Sequence, residues 1–393
     1  MELKINKRKY LLWTSSFFPR VGGLENASKE YALHMKKQGW DVHIITNRYP
    51  RSLSGNECLD GIKIVRYFFF HSPLNYIRNR RLDLLLAWLF LKPVTLFKLI
   101  LYFLRTRPDV VNLHFPDHQL VECYLLKFLF RFKLIVSLHG NEVERMDGLK
   151  KKSLRCYFYN KLFQSTVYIT GCSQYLLNEF QEIFPQKDSE KCFTIHNGVG
   201  EHYLTQYLTA KKKEHIFTAA RFVPKKGLEL LLDAFQQDND IALHIAGGNR
   251  SDLDKLGFEI IKGIYVLGEL TPADMAKHLA TNKITVIPSI IEPYGIIVAE
   301  AICCGSPVVA TNVGGIPEVI ALAKKNLNSI EQVVFDMWVK IVDPEVATIR
   351  SGIDSVLKNY SDVEEYINLV PNIRKQFYWS KRLDQYHNLL AES

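Results

Sequence analysis

Residues 288–301 read Pro288-Ser289-Ile290-Ile291-Glu292-Pro293-Tyr294-Gly295-Ile296-Ile297-Val298-Ala299-Glu300-Ala301, with two carboxylates eight positions apart. The β-branched run Ile284-Thr285-Val286-Ile287 ahead of it stops at Pro288, which predicts a short buried parallel strand. The apolar stretch from Gly295 onward predicts a packed helix. The turn between them therefore sits at the carboxyl end of a strand. In an open α/β sheet ligands bind along that edge, where the first amides of the following helix are unpaired donors with partial positive charge. An anion or a polyol suits such a place. Glu292 stands ahead of those amides and Glu300 about five residues into the helix, roughly 7 Å along its axis, so the two carboxylates can hold hydroxyls at opposite ends of an elongated ligand.

Working outward, the same alternation of apolar strand and amphipathic helix fills the chain. Tyr10–Trp13, Val42–Ile45, Ile62–Val65, Val110–Leu113, Leu134–Leu138 and Val167–Ile169 read as strands of one doubly wound parallel sheet. Ile216–Ala219, Ala242–Ala246, Tyr265–Leu267, Ile284–Ile287 and Val308–Ala310 read as a second. A helix is predicted over Gly23–Lys37, with Leu24, Ala27, Tyr31 and Met35 on one stripe. A length of 393 residues favours two domains. The aperiodic stretch Gly200–Glu214, with Lys211-Lys212-Lys213, is the expected hinge. The hydrophobic fraction of 47% with 23% charged residues excludes a disordered or fibrous chain.

Charge is unevenly placed. Residues 1–200 hold 30 Lys+Arg and 17 Asp+Glu, while residues 201–393 hold 20 and 24, so the halves carry +13 and −4. The first half is expected to face something anionic, and a membrane surface or a nucleic acid satisfies that equally by composition. Seven cysteines without CxxC spacing, and no leader pattern before Tyr10, point to the cytoplasm and against structural zinc. Cys303 and Cys304 are expected to be core thiols.

The most apolar segment, Leu82–Leu104, is long enough for a bilayer, but Asp83, Lys92, Lys98 and Pro93 within it argue against a span. A pair of interfacial helices broken at Pro93 is expected, flanked by Arg78, Arg80, Arg81, Arg105 and Arg107. A buried helix of the first domain is the alternative.

The Glu292/Glu300 pair resembles the E-x7-E signature of retaining glycosyltransferases of family 4, which have the two-domain GT-B fold. The stretch Arg221-Phe222-Val223-Pro224-Lys225-Lys226-Gly227 is similar to that family's R-x4-K-G element. Such an enzyme must neutralise a departing diphosphate, and fixed cations suit that task because electrostatic stabilisation is usually the largest catalytic term. The resemblance gives it to Arg221 and Lys226. It also implies that Glu300 holds the ribose and Glu292 the sugar hydroxyls, while amides near Tyr294, Gly295 and Ile296 meet sugar and phosphate. Gly22-Gly23, after Ser15-Ser16-Phe17-Phe18-Pro19, resembles the family's P-x-x-G-G loop, although an ordinary tight turn reads the same way.

His139, in Ser137-Leu138-His139-Gly140-Asn141-Glu142, resembles the histidine that contacts the donor sugar. His196-Asn197-Gly198-Val199 resembles the N-G-V element, with Gly200 where an Asp is usual. Two other departures are Ala321–Phe335, which lacks the expected glycines, and Thr281-Asn282-Lys283 in place of an acidic Ala-Asp pair, expected to be peripheral.

The resemblance implies an α/β protein of two Rossmann-like domains facing a central cleft: residues 1–200 binding the acceptor and residues 201–376 the donor, with a helix at about 377–393 packed back on the first. It implies a nucleotide-diphosphate sugar as co-substrate, no cofactor and no metal, and a saccharide or lipid-linked saccharide acceptor. With the charge asymmetry, an anionic membrane surface becomes the expected partner, in lipopolysaccharide or cell-surface polysaccharide assembly; no nucleic acid is expected. Three other readings differ in their residues. A metal-dependent transferase would use Asp252-Leu253-Asp254, which precedes a helical pattern instead of ending a strand. A sugar-nucleotide epimerase would act without an acceptor. A noncatalytic adaptor would have no use for Arg221, Lys226 and Glu300.

Overall fold

The computed structural model describes residues 7–392 apart from 21, 71–72, 118, 148–153, 186–187, 210, 236–240, 256, 258–261 and 359. The chain divides into two compact units: residues up to His196 together with Leu383–Ser393, and Asn197–Arg382. The division comes before the aperiodic stretch expected as the hinge, and the return to the first unit falls inside the C-terminal helix Trp379–Glu392.

The first unit holds an eight-stranded sheet in the order β3-β4-β2-β1-β5-β6-β7-β8. Its strands are β1 (Lys9–Thr14), β2 (Asp41–Asn47), β3 (Asn56–Leu59), β4 (Ile62–Tyr67), β5 (Val110–His114), β6 (Lys133–Leu138), β7 (Tyr168–Gly171) and β8 (Cys192–Thr194). All neighbours are parallel except β3 and β4. The strand order reverses between β1 and β5, which places the switch point at the loops following those two strands. Aromatic residues fill the core: Trp13, Phe103, Tyr159, Phe163 and Phe180 are all buried.

The second unit holds a six-stranded, all-parallel sheet in the order β11-β10-β9-β12-β13-β14. Its strands are β9 (Lys213–Ala219), β10 (Ala242–Ala246), β11 (Ile264–Gly268), β12 (Asn282–Ile287), β13 (Val308–Thr311) and β14 (Val339–Val342). Here the order reverses between β9 and β12, whose registered pairs include Thr285 with Phe217. Burial on both faces explains the unbroken apolar runs.

Three strands escaped the sequence reading. β3 and β8 are edge strands of four and three residues, and β14 is four residues long, each too short to show a period. The glycine-free stretch Ala321–Phe335 resolves into the end of helix Ile316–Lys324 and the start of helix Ser329–Trp338. Asn328 accepts from the amides of Ile330 and Glu331 while the Glu331 carboxylate accepts from Asn328, so a capping box does the work of a glycine turn.

Leu82–Thr106 is one helix of 25 residues, and neither the pair broken at Pro93 nor the buried core helix is found. Pro93 is exposed, so the carbonyl it frees can meet water, which is why the helix runs through it. Only Thr95, Leu99 and Phe103 are buried, and Lys92 pairs with the buried Glu122 at 3.1 Å. Phe90 is 72% exposed and Phe97 61%, with Leu82, Leu86, Leu89 and Leu104 also exposed. By length and composition alone it could cross a membrane.

Candidate active site

The loops at the carboxyl end of the second sheet are locked together by close backbone approach. Gly227, at φ +62°, lies so near Pro288 that a Cβ would fall 1.9 Å from its carbonyl oxygen, and Gly314, at φ +56°, stands equally close to the carbonyl of Glu292. Any side chain at either position would push the loops apart. The amides of Ile290 and Ile291 donate to the Lys225 carbonyl, and that of Gly315 to the Glu292 carbonyl. The loops after β9, β12 and β13 thus form one rigid platform at the switch point.

On it, Lys226 Nζ and Glu292 Oε2 are 2.6 Å apart, both side chains largely withdrawn from solvent. Ser289 Oγ donates to the same carboxylate oxygen at 3.3 Å. A mostly buried ion pair is costly to break from one side, since the remaining charge is left uncompensated. Arg221, just past β9, is exposed and forms no ion pair among the described residues.

Gly295 adopts the left-handed conformation at φ +91° and begins helix Ile296–Cys303. Its first amides are the donors anticipated from the sequence. Glu300 lies one turn further on, hydrogen-bonded to Tyr203, and burial pushes its carboxyl up to about 8. Tyr294 is buried, and its hydroxyl donates to the Asn197 carbonyl at 2.9 Å. Its side chain is therefore structural, leaving only its backbone for a ligand. Gly200 begins helix Glu201–Leu204 without a side-chain cap, the consequence of the missing Asp. Cys303 and Cys304 are buried free thiols whose pKa burial raises. Asp252 lies in the first turn of helix Arg250–Lys255, where its carboxylate accepts from the Asn249 amide.

In the first unit, helix Gly23–Lys37 starts at the predicted residue, after Gly22 in extended conformation. Glu25 folds back beneath this loop: it is buried, accepts from Ser16 Oγ at 2.6 Å, and would stand 2.7 Å from a Cβ on Gly22. A Cβ on Gly23 would meet nothing within 4 Å. Gly23 faces open space, whereas Gly22 is hemmed in by a carboxylate.

His139 follows β6 and meets a partner the sequence reading passed over, His114 at the end of β5; His139 Nε2 and His114 Nδ1 are 3.0 Å apart. The chain of hydrogen bonds behind them fixes the tautomers. Ser137 Oγ donates to Asn112 Oδ1, so the Asn112 amide nitrogen donates to Tyr10 Oη at 2.8 Å and to His114 Nε2 at 2.9 Å. His114 then keeps its proton on Nδ1 and gives it to His139 Nε2, which leaves the His139 proton on Nδ1. Burial keeps both rings neutral, lowering His139 to about 4 and His114, with help from its neighbour, well below the ordinary imidazole value. Glu142 accepts from the His139 amide, and burial raises it to about 7.

His114 had one signal, its place at the end of a strand beside the switch point, whereas Tyr203 and Ser289 had none in their local sequence. The structure thus couples Lys226 to Glu292 and His139 to His114. Among the described residues no hydrogen bond joins Glu292 to Glu300, and Arg221 is left free to meet a ligand.

Residues 201–376 match the family model for glycosyl transferases group 1, and residues 21–202 the one for glycosyltransferase family 4. An uncharacterized glycosyltransferase of Methanocaldococcus jannaschii is 27% identical, covering 94% of this chain and 93% of that protein. A GDP-mannose-dependent monoacylated alpha-(1-6)-phosphatidylinositol monomannoside mannosyltransferase of Corynebacterium glutamicum is 31% identical over 80% of this chain and 83% of that one. Sucrose-phosphate synthase from Thermosynechococcus elongatus shares the fold, with a TM-score of 0.72 over 98% of this chain and 100% of that one at 18% identity. With two doubly wound units, a glycine-locked switch point and these matches, the chain belongs to glycosyltransferase family 4, with the GT-B fold, and is a glycosyltransferase.

Proposed function

We propose that the protein transfers a sugar, with retention of anomeric configuration, from a nucleotide-diphosphate sugar to a saccharide or lipid-linked saccharide acceptor. The observation that carries this reading is the Lys226–Glu292 pair on the switch-point platform, with the uncommitted Arg221 beside it in the same loop. Lys226 and Arg221 neutralise the diphosphate as it leaves, joined by the first amides of helix Ile296–Cys303. Glu292 stays paired to Lys226 through one oxygen and takes a sugar hydroxyl with the other. Glu300 accepts from the ribose, and His139 offers its Nδ1 proton to a sugar hydroxyl. Retention follows if the acceptor attacks from the leaving-group face and passes its proton to a diphosphate oxygen, which asks for no side-chain nucleophile.

The chemistry needs no metal, since the two cations take the charge. A chelator should leave initial rates unchanged.

The enzyme works at the inner face of the cell membrane, in cell-surface polysaccharide or lipopolysaccharide assembly. Support comes from helix Leu82–Thr106: its Lys92 and buried residues tie one side to the first unit, while Phe90, Phe97 and several leucines face outward between exposed arginines. The lipid acceptor named for the corynebacterial relative fits the same picture.

The test is a thermal-shift screen of sugar nucleotides, because a donor at 100 times its Kd stabilises by about 2.7 kcal/mol. A hit should be lost in Arg221→Ala and Lys226→Ala. Stabilisation by the same nucleotide in both variants would overturn the assignment.

A further inference from the structure

At the other end of the second sheet, three histidines from separate elements converge. His215 lies near the start of β9, His244 in the middle of β10, and His278 in the last turn of helix Pro272–Thr281. One ring nitrogen of each lies within 4.8 Å of the other two. The rings of His215 and His244 are stacked at 3.9 Å between centroids, and His278 stacks on Phe217, the strand neighbour of His244. His215 Nε2 and His244 Nδ1 are buried without a hydrogen bond of ordinary geometry, as are both polar atoms of the buried Asn282 side chain, which stands beside His215. Four polar atoms on three side chains thus lack ordinary partners, His215 and Asn282 having only each other, where native proteins leave very few such atoms unsatisfied.

We propose that His215, His244 and His278 bind a divalent transition-metal ion of the Zn²⁺ class. Neutral imidazole is the ligand type such ions prefer, and three protein ligands with an open fourth position is a common zinc arrangement. Zn–N bonds of about 2.0–2.1 Å lie along the ring lone pairs and require ligand nitrogens roughly 3.4 Å apart, so the rings must close by about an ångström and the stacked His215 and His244 rings, now 21° from parallel, must turn to aim at one ion. Burial holds all three rings neutral and ready to coordinate. Asn282, the hydrogen-bond neighbour of His215, can support that ring as a ligand. The carboxyl end of helix Pro272–Thr281 adds partial negative charge.

The surrounding charges are mixed: Lys213 and Lys277 oppose a cation, while Asp274 and Glu214 favour it. Lys213 is exposed and can swing away. From His215 to the end of β9 is four residues, roughly 13 Å of strand, so this site is separate from the switch-point platform. It stands independently of the proposed transferase chemistry.

The test uses chelator-treated full-length protein and the metal alone. Titration with Co²⁺ should give saturable visible ligand-field absorption at one ion per chain, displaced by Zn²⁺. Zn²⁺ should raise the melting temperature. His244→Ala and, on the half-exposed helix, His278→Gln should each weaken Zn²⁺ binding by more than the roughly 10–100-fold that loss of a supporting partner costs. Lys226→Ala should bind as the parent does. Absence of saturable Co²⁺ absorption, or unchanged affinity in folded His278→Gln, would show a neutral histidine stack and overturn the proposal.

Discussion

The carboxyl ends of the two sheets share one strand topology and differ in the charge their loops carry. In the second unit the switch-point loops carry an ion pair, Lys226 with Glu292, and an exposed Arg221. In the first, the corresponding loops carry two neutral histidines, and Glu25 already occupies the glycine turn at the helix start. One topology therefore supplies two different services: the second unit can neutralise an anion, and the first presents polar but uncharged donors. Strand order determines where a ligand can sit, and the residues on three or four loops decide what it can be.

The largest effect expected from breaking this contrast is in the second unit. Lys226→Ala or Arg221→Ala should lower kcat by about 10² to 10³, as loss of a charge-stabilising donor does. Lys226→Ala should also lose stability, since Glu292 is left unpaired; Arg221→Ala should not. Steady-state kinetics with denaturant melts separates the two, and a fall in turnover under about fivefold would remove both residues from the proposed chemistry.

Outside both sites, Phe90→Ser with Phe97→Ser should release the protein from anionic vesicles. At about 1.5–3 kcal/mol per buried side chain, partitioning should drop by tenfold or more for each. Sedimentation with phosphatidylglycerol vesicles measures it, and unchanged partitioning would dissociate the helix from membranes. His139→Ala removes one donor to a neutral group and should cost about tenfold in kcat/KM, the value of a single hydrogen bond of about 1.4 kcal/mol.

The smallest differences concern pH. Burial raises Glu300 from its ordinary 4.5 to about 8, and Glu142 from 4.5 to about 7. The folded protein therefore holds protons that the unfolded chain has released. Each group's contribution is fully present below about 4.5 and falls as pH rises, through about 8 for Glu300 and about 7 for Glu142. Glu300→Gln should flatten the stability profile over the wider window and also weaken donor binding. Glu142→Gln should flatten only the narrower one. Urea melts across this range, with calorimetry for the donor, check both; an unchanged donor Kd in Glu300→Gln would refute the ribose assignment.

Much of this was legible along the chain. The strands ending at Ile287 and Ala219 and the helix starting at Gly23 follow from apolar periodicity and from punctuation by proline and glycine, both short-range signals. The E-x7-E spacing marked Glu292 and Glu300 because both belong to one strand-turn-helix unit. Pro93 misled, since its cost depends on whether the freed carbonyl meets water, and exposure is a tertiary property. Thr281-Asn282-Lys283 looked peripheral, yet Asn282 is buried beside His215.

The sequence by itself determined two doubly wound units, the carboxyl edges of their sheets and the cations placed beside one of those edges, because each of these is written in contiguous residues. Only the tertiary structure decided that Lys226 holds Glu292, that His139 leans on His114, that Tyr203 holds Glu300, and that His215, His244 and His278 share one spot. Those partners lie 25 to 97 residues apart and come from different elements, so no local pattern can encode the pairing; it arises when parallel strands fall into register and bring their ends to a common edge.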